Sequence, residues 1–295
     1  MSRLSVIAID QLAPMQVLET IDIEAVLAAR MARLVPLWLE RDPPAGSAYD
    51  VGSLEFDPIK INQELSSYFE LLLRNRVNQA ARAVTLAFAI GTDLDAIASR
   101  YPGGCPRLAG EFDDRYRLRI WLSPNTLSRN GSEEAYVFWA LTADPTLRDA
   151  SAVTVEGTGE ITITIMAEGD DPRPTQAQII AVRTYILDQA RKGLTDVIRV
   201  AGPIVTETDY VARVWLYPGP DSTSLMTSLN SAVAALIERQ RWLGYDNTLL
   251  ALSAVLGTNG VQNAKIDQPT ADVVVDKRGF VKVNSVNLQY VGRAG

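Results

Sequence analysis

The side chains here that could do chemistry are carboxylates, arginines and one thiol. Adjacent acids occur at Asp113–Asp114, Glu133–Glu134 and Asp170–Asp171. A general acid and base must flank one bond. Neighbouring residues point in different directions, so such pairs do not build that site by themselves. Glu133–Glu134 opens an expected helix, where negative charge is favourable, and Asp170–Asp171 lies in a solvated turn. The 295 residues include no histidine, which removes the commonest general base, the commonest metal ligand and the usual triad. Cys105 is the one cysteine, so neither an internal disulfide nor a thiolate cluster is expected. In Pro102-Gly103-Gly104-Cys105-Pro106, with no histidine to activate it, it reads as a small filler. Glycines at Gly157-Thr158-Gly159 and Gly257–Gly260 lack the Walker lysine and the dinucleotide fingerprint. The acids near Asp267–Asp276 lack calcium-loop spacing. No catalytic, cofactor or metal site is therefore expected, although an all-oxygen metal site stays open. The remaining enzymatic reading is a hydrolase whose two acids come from distant segments.

A second constellation points to assembly. Within Leu71–Tyr101, LLLRNRVNQAARAVTLAFAIGTDLDAIASRY, the polar residues Arg74, Arg76, Asn78 and Arg82 stand among apolar ones. Guanidinium forks bind carboxylates bidentately, and a buried asparagine fixes register between helices. With Leu72, these four form the candidate subunit interface; intrachain salt bridges are the alternative. Leu65, Phe69, Leu72, Val77, Ala81, Val84 and Phe88 recur at helical steps, which predicts one long helix starting near Pro58 and closed by Gly91. Thr92 with Asp95 predicts a capped second helix.

The pattern LLLR-x-RVN-x-AARAV followed by G-x-DLD-x-(I/L)A resembles the baseplate J-like family. Glu24–Arg33, Asp113–Pro124 (DDRYRLRIWLSP), Gly131–Leu141 (GSEEAYVFWAL) and Leu216–Pro220 (LYPGP) agree in order. The resemblance implies a structural wedge protein of contractile phage tails and related injection systems. It further implies self-association into a ring around the tail hub, contacts with the sheath-initiator protein and other wedge proteins, and a change of ring shape with sheath contraction. Host cytoplasm during assembly, then the virion tail baseplate, is the implied location. A wedge component of a cellular secretion machine is the alternative setting.

Bulk properties fit a soluble assembly protein. Hydrophobic residues make up 47% and charged residues 21%, and the net charge of −7 argues against a nucleic-acid partner. No apolar run, Val84–Ile90 included, approaches the roughly 20 residues that span a membrane. MSRLSVIAIDQLAP is broken by Asp10 and lacks a cleavage signal, so retention in the cytoplasm is expected. Trp38, Trp121, Trp139, Trp215 and Trp242 serve as core residues or interface anchors.

The expected fold class is α+β multidomain, a helical N-terminal part followed by two small α+β units. Residues 1–101 form the helical part and oligomerisation core, with a helix over Ile21–Arg41. Residues 102–203 hold a helix at Ser132–Ala143, strands at Ala150–Glu156 and Glu160–Ala167 joined by Gly157-Thr158-Gly159, and a helix at Thr175–Arg191 closed by Gly193. Alternation of Ile161, Ile163 and Ile165 with threonines predicts one wet face. Residues 204–295 hold a strand at Val205–Tyr217, helices at Thr223–Trp242 and Asn247–Leu256, and strands near Val261–Asp267 and Phe280–Tyr290. The last of these, ending Tyr290-Val291-Gly292, offers an open sheet edge. The helix–turn–strand–strand order at 132–167 and 247–290 reads as a duplicated unit. Pro- and Gly-rich loops at Asp42–Ser53 and Pro102–Pro106 are the candidate hinges.

Overall fold

The computed structural model describes residues 15–41, 56–101, 104–127, 131–155, 157–188, 191–193, 195–219 and 221–293. The candidate hinge at Asp42–Ser53 lies outside the described residues, as do Pro102 and Gly103 of the second hinge. The chain divides into two compact units, one within residues 7–97 and one within 98–295.

The first unit is helical: α1 (Ile23–Arg41), α2 (Pro58–Ala83) and α3 (Thr92–Ala98). Asp57 starts α2 by accepting the Ile59 N–H at 2.7 Å, and Pro58 takes the first position, where a missing N–H costs nothing. The helix stops at Ala83, well before Gly91. Thr85 ends it: its hydroxyl donates to the Ala81 and Arg82 carbonyls, both at 3.0 Å, satisfying groups that the next turn would otherwise take. Gly91, at φ +54°, instead turns the chain into α3, whose first residue is Thr92, so Thr92 is not a cap.

The second unit opens with α4 (Asp113–Leu122) and α5 (Glu133–Ala143), the latter capped by Ser132. Strands β1 (Leu147–Val155) and β2 (Glu160–Ala167) pair antiparallel, and α6 (Gln176–Ile186) carries the chain over to β3 (Val197–Ala201), parallel to β2. Thr175 and Gln178 cap α6 reciprocally. That helix ends at Ile186 rather than Arg191. Leu187 closes its last turn, and Asp188 accepts the Arg191 and Lys192 N–H groups in a separate turn. Gly193 lies beyond, where its N–H donates to the Tyr136 hydroxyl at 3.4 Å. The second sheet follows: β4 (Ile204–Leu216), α7 (Ser222–Gln240), α8 (Leu249–Leu256), β5 (Val261–Gln268) and β6 (Gly279–Arg293), in the order β5-β4-β6. Helices α7 and α8 bury Val233, Leu236, Leu252 and Leu256 against Tyr210 and Ala212 of β4.

Both sheets thus set a central strand between one antiparallel and one parallel neighbour. Their connections differ. β1 and β2 form a hairpin, whereas β5 and β6 lie on opposite sides of β4 and do not pair. The recurring helix–turn–strand–strand order is therefore not one unit repeated with the same pairing.

β2 has no wet face. Thr162 and Thr164 are 5% and 0% exposed. As the central strand, β2 is flanked on both edges, and beside the threonines Met166 packs under Leu243 and Phe280. Thr164 stands opposite Ser151, and neither hydroxyl has a hydrogen-bond partner. A buried unpaired hydroxyl is costly, so Thr164→Val is expected to raise stability by about 1 kcal/mol. In thermal unfolding this appears as a gain of about 2–4 °C; a lowered midpoint would mean that the hydroxyl is satisfied after all.

A buried ionic network anchors α4. Glu111, whose side chain is 0% exposed, accepts from Arg119 and Arg115, each at 2.6 Å, and from the Leu108 N–H at 3.0 Å. Arg119 is itself 1% exposed and donates to Thr142 Oγ1. Arg115 donates to the carbonyls of Leu141, Asp144 and Leu147, tying α4 to the end of α5 and the start of β1. Burial pushes the Arg115 guanidinium below its usual range, opposed by the charge of Glu111.

Candidate assembly surface

Helix α2 needs its sequence read around the cylinder. At about 100° per residue, Ile61, Leu65, Tyr68, Phe69, Leu72, Leu73 and Val77 share one broad side, and Glu70, Arg74 and Asn78 share the opposite one. The polar side is spent within the unit. Arg74 donates to Glu70 at 2.7 Å and to Glu19 at 2.8 Å. Glu70 also takes Arg30 of α1 at 2.8 Å. Asn78 brackets the Glu19 backbone, accepting its N–H at 3.1 Å and donating to its carbonyl at 2.9 Å. The segment before α1 is thereby strapped to α2. Hydrogen bonds from Arg30, then from Arg74, hold the Glu70 carboxyl below the usual carboxylate range.

The apolar side is uncovered. Leu65, Phe69, Leu72, Leu73 and Val77 are all more than two-fifths exposed, and Leu73 reaches 69%. Among the described side chains, neither α1 nor α2 buries one apolar residue; Ser67 is the one buried residue of α2. A helix of 26 residues is ordinarily held by burying an apolar stripe, and on α2 that stripe faces outward. Contiguous exposed apolar surface of this kind marks an interaction site.

The candidate residues divide accordingly. Leu72 and Arg76 lie on the open side, where Arg76 is exposed and has no ion pair among the described residues. Arg74 and Asn78 are bound within the chain, and Arg82 lies exposed at the flank of the apolar side. Sequence periodicity missed Ile61, Tyr68 and Leu73, which widen the open face. Of the tryptophans, Trp139 is buried edge-on against Tyr136 with ring centres 5.3 Å apart, and Trp242 lies under the Arg148 guanidinium at 5.1 Å. Trp38 is 37% exposed on α1.

The adjacent acids are drawn in separate directions. Asp113 takes Arg107 and Asp114 takes Arg117, at 2.7 and 2.6 Å, while Glu133 takes Lys277 at 2.8 Å. Asp170 is exposed, and Asp171 lies 3.5 Å from Arg173. Cys105 is buried, and burial pushes its thiol pKa up, the opposite of what a nucleophile needs. Among the described residues no cluster of three or more histidine, cysteine or acidic side chains is placed to hold a metal. None of the described helices is long and apolar enough to cross a membrane.

Comparison with known proteins gives two family matches and one full-length relative. Residues 55–108 match the Baseplate J-like N-terminal domain, and residues 128–202 match the Baseplate J-like central domain. The first match contains α2 with its open face. The chain is 32% identical over 284 residues to "Baseplate protein J" of Escherichia phage P2, covering 92% of this chain and 93% of that protein.

Proposed function

The chain belongs to the baseplate J-like family of baseplate structural proteins, and from that premise we propose that it is a wedge subunit of a contractile tail. Copies associate in a ring around the tail hub, contact the sheath-initiator protein and other wedge proteins, and couple a change in the baseplate to sheath contraction. The chain folds in the host cytoplasm and ends in the virion tail baseplate. The observation that carries this reading is the open apolar side of α2. A long helix that buries no apolar residue within its own chain is stabilised by what covers it in the assembly. We assign the contact to Leu72 and Arg76, with Arg82 at its border, and give Arg74 and Asn78 the task of holding the helix pair in shape. The division at 1–101, 102–203 and 204–295 corresponds in this reading to an oligomerisation core and two arms.

A phage tail, a tailocin and a cellular contractile secretion machine place the same demands on this surface; the neighbouring genes distinguish them. The test is isolation of the tagged chain from cells producing the particle, with every co-purifying protein identified and its stoichiometry measured. Tail proteins in fixed ratios are expected. Recovery as a lone monomer beside intact particles would overturn the proposal.

A further inference from the structure

We infer that the outer edge of β6 at Val281–Val283 is a docking groove for one extended strand of a partner polypeptide. The groove, of about 380 Å³, runs between this edge and the C-terminal turn of α7, with Asn247 among its lining residues. Two independent observations give it a chemistry.

The first is backbone hydrogen bonding. Ile204 is in register with Gly279, and its N–H bonds to the Arg278 carbonyl. In a parallel ladder each residue bonds to the two that flank its partner, so even-numbered residues of β6 face β4 and odd-numbered ones face away. Gly279 confirms the alternation, because its outward carbonyl accepts the Gly244 N–H at 2.8 Å. The outward groups of Val281 and Val283 have no such partner among the described residues. The ladder then shifts register at Asn284, which ends the free edge.

The second is a buried polar atom. Gln240 and Asn247 are 4% and 3% exposed and both line the groove. Tyr210 joins them, its hydroxyl donating to Gln240 Oε1 at 3.3 Å and accepting from Asn247 Nδ2 at 2.8 Å. Asn247 Oδ1 is left buried without a partner, an expensive state unless a donor arrives. An extended polypeptide supplies both needs: backbone donors and acceptors in strand spacing, and a side-chain N–H or O–H aimed at Asn247. A small molecule would answer the amide oxygen but not the sheet edge. Lys282 and Asp170, which line the groove and have no ion pair among the described residues, favour a strand that carries charges of both signs.

The experiment compares backbone hydrogen exchange at residues 280–284 in the purified chain and in the assembled particle. It rests on the wedge reading only for the choice of particle, and exchange along α2 in the same samples reports that reading separately. Exchange at Val281 and Val283 is expected to slow at least tenfold on assembly, in the range of protection that pairing confers. Unchanged exchange there, with α2 protected, overturns the groove and leaves the wedge reading standing. Val281→Pro removes an outward N–H and spares the β4 ladder, so it should lower incorporation into particles while exchange along β4 stays native. Normal incorporation of that folded variant would also overturn the proposal. Should the variant not fold, the exchange comparison on the native sequence decides.

Discussion

Glu111→Ala lowers the stability of the second unit by about 3–5 kcal/mol, the cost of stranding a buried charge when its partner is removed. The geometry sets this magnitude. Arg119 has almost no contact with water, and Glu111 is its anion at 2.6 Å. Arg115 would keep its three backbone carbonyls, so its loss is smaller. Replacement by glutamine keeps an acceptor but removes the charge, and the expected loss falls to about 2 kcal/mol, near the value of one charge-assisted hydrogen bond. For a unit of this size the alanine variant should melt roughly 6–20 °C lower. Thermal unfolding of the two variants beside the native chain checks both numbers. Equal, small shifts would mean that water reaches Arg119 and that the network is not closed.

Phe69→Asp is expected to separate folding from assembly. Phe69 is 55% exposed in the isolated chain, so the substitution should change its stability by no more than about 0.5 kcal/mol, as surface changes do. In the assembly the same residue sits on the face assigned to the contact. Truncating an aromatic anchor there costs 2 kcal/mol or more, about a 30-fold loss of affinity, and a buried unpaired carboxylate adds to it. Recovery of tail partners with the tagged variant should therefore collapse while its melting temperature holds. Leu250→Asp is the control: Leu250 is 79% exposed on α8, which belongs to the other unit, and should assemble normally. Loss of melting temperature in Phe69→Asp would place that residue in the chain's own core.

How much of this was legible in the residues follows from how local each feature is. The α+β class and most helices and strands were legible, because signals such as the acidic first turn at Glu133–Glu134 and the Gly157-Thr158-Gly159 turn act within a few residues. The absence of histidine needed only a count. Periodicity found the apolar stripe of α2, but a core stripe and an interface stripe have the same spacing, so only exposure showed which way it faces. Arg74 and Asn78 resisted for another reason. Their partner Glu19 lies 55 and 59 residues away, a separation no pattern encodes. Thr162 and Thr164 alternate with isoleucine as a half-wet strand does, yet Leu243 and Phe280, remote in the chain, close over that side of β2. The pairing of β6 with β4, instead of β5, is the same kind of fact: it depends on where α7 and α8 carry the chain. Gly91 shows the reverse error, a correct reason placed at the wrong helix end because Thr85 acts first.

The central claim is that the open side of α2 is covered by another chain in the particle, and side-chain footprinting tests it most directly. A carbene reagent is applied to the purified chain and to assembled particles, and labelling of each residue is compared. Protection of Leu65, Phe69, Leu72, Leu73 and Val77 on assembly is the predicted result, with Leu250 labelled alike in both samples. Equal labelling of α2 in the two states would contradict the account, because the helix would then stand uncovered in the finished structure.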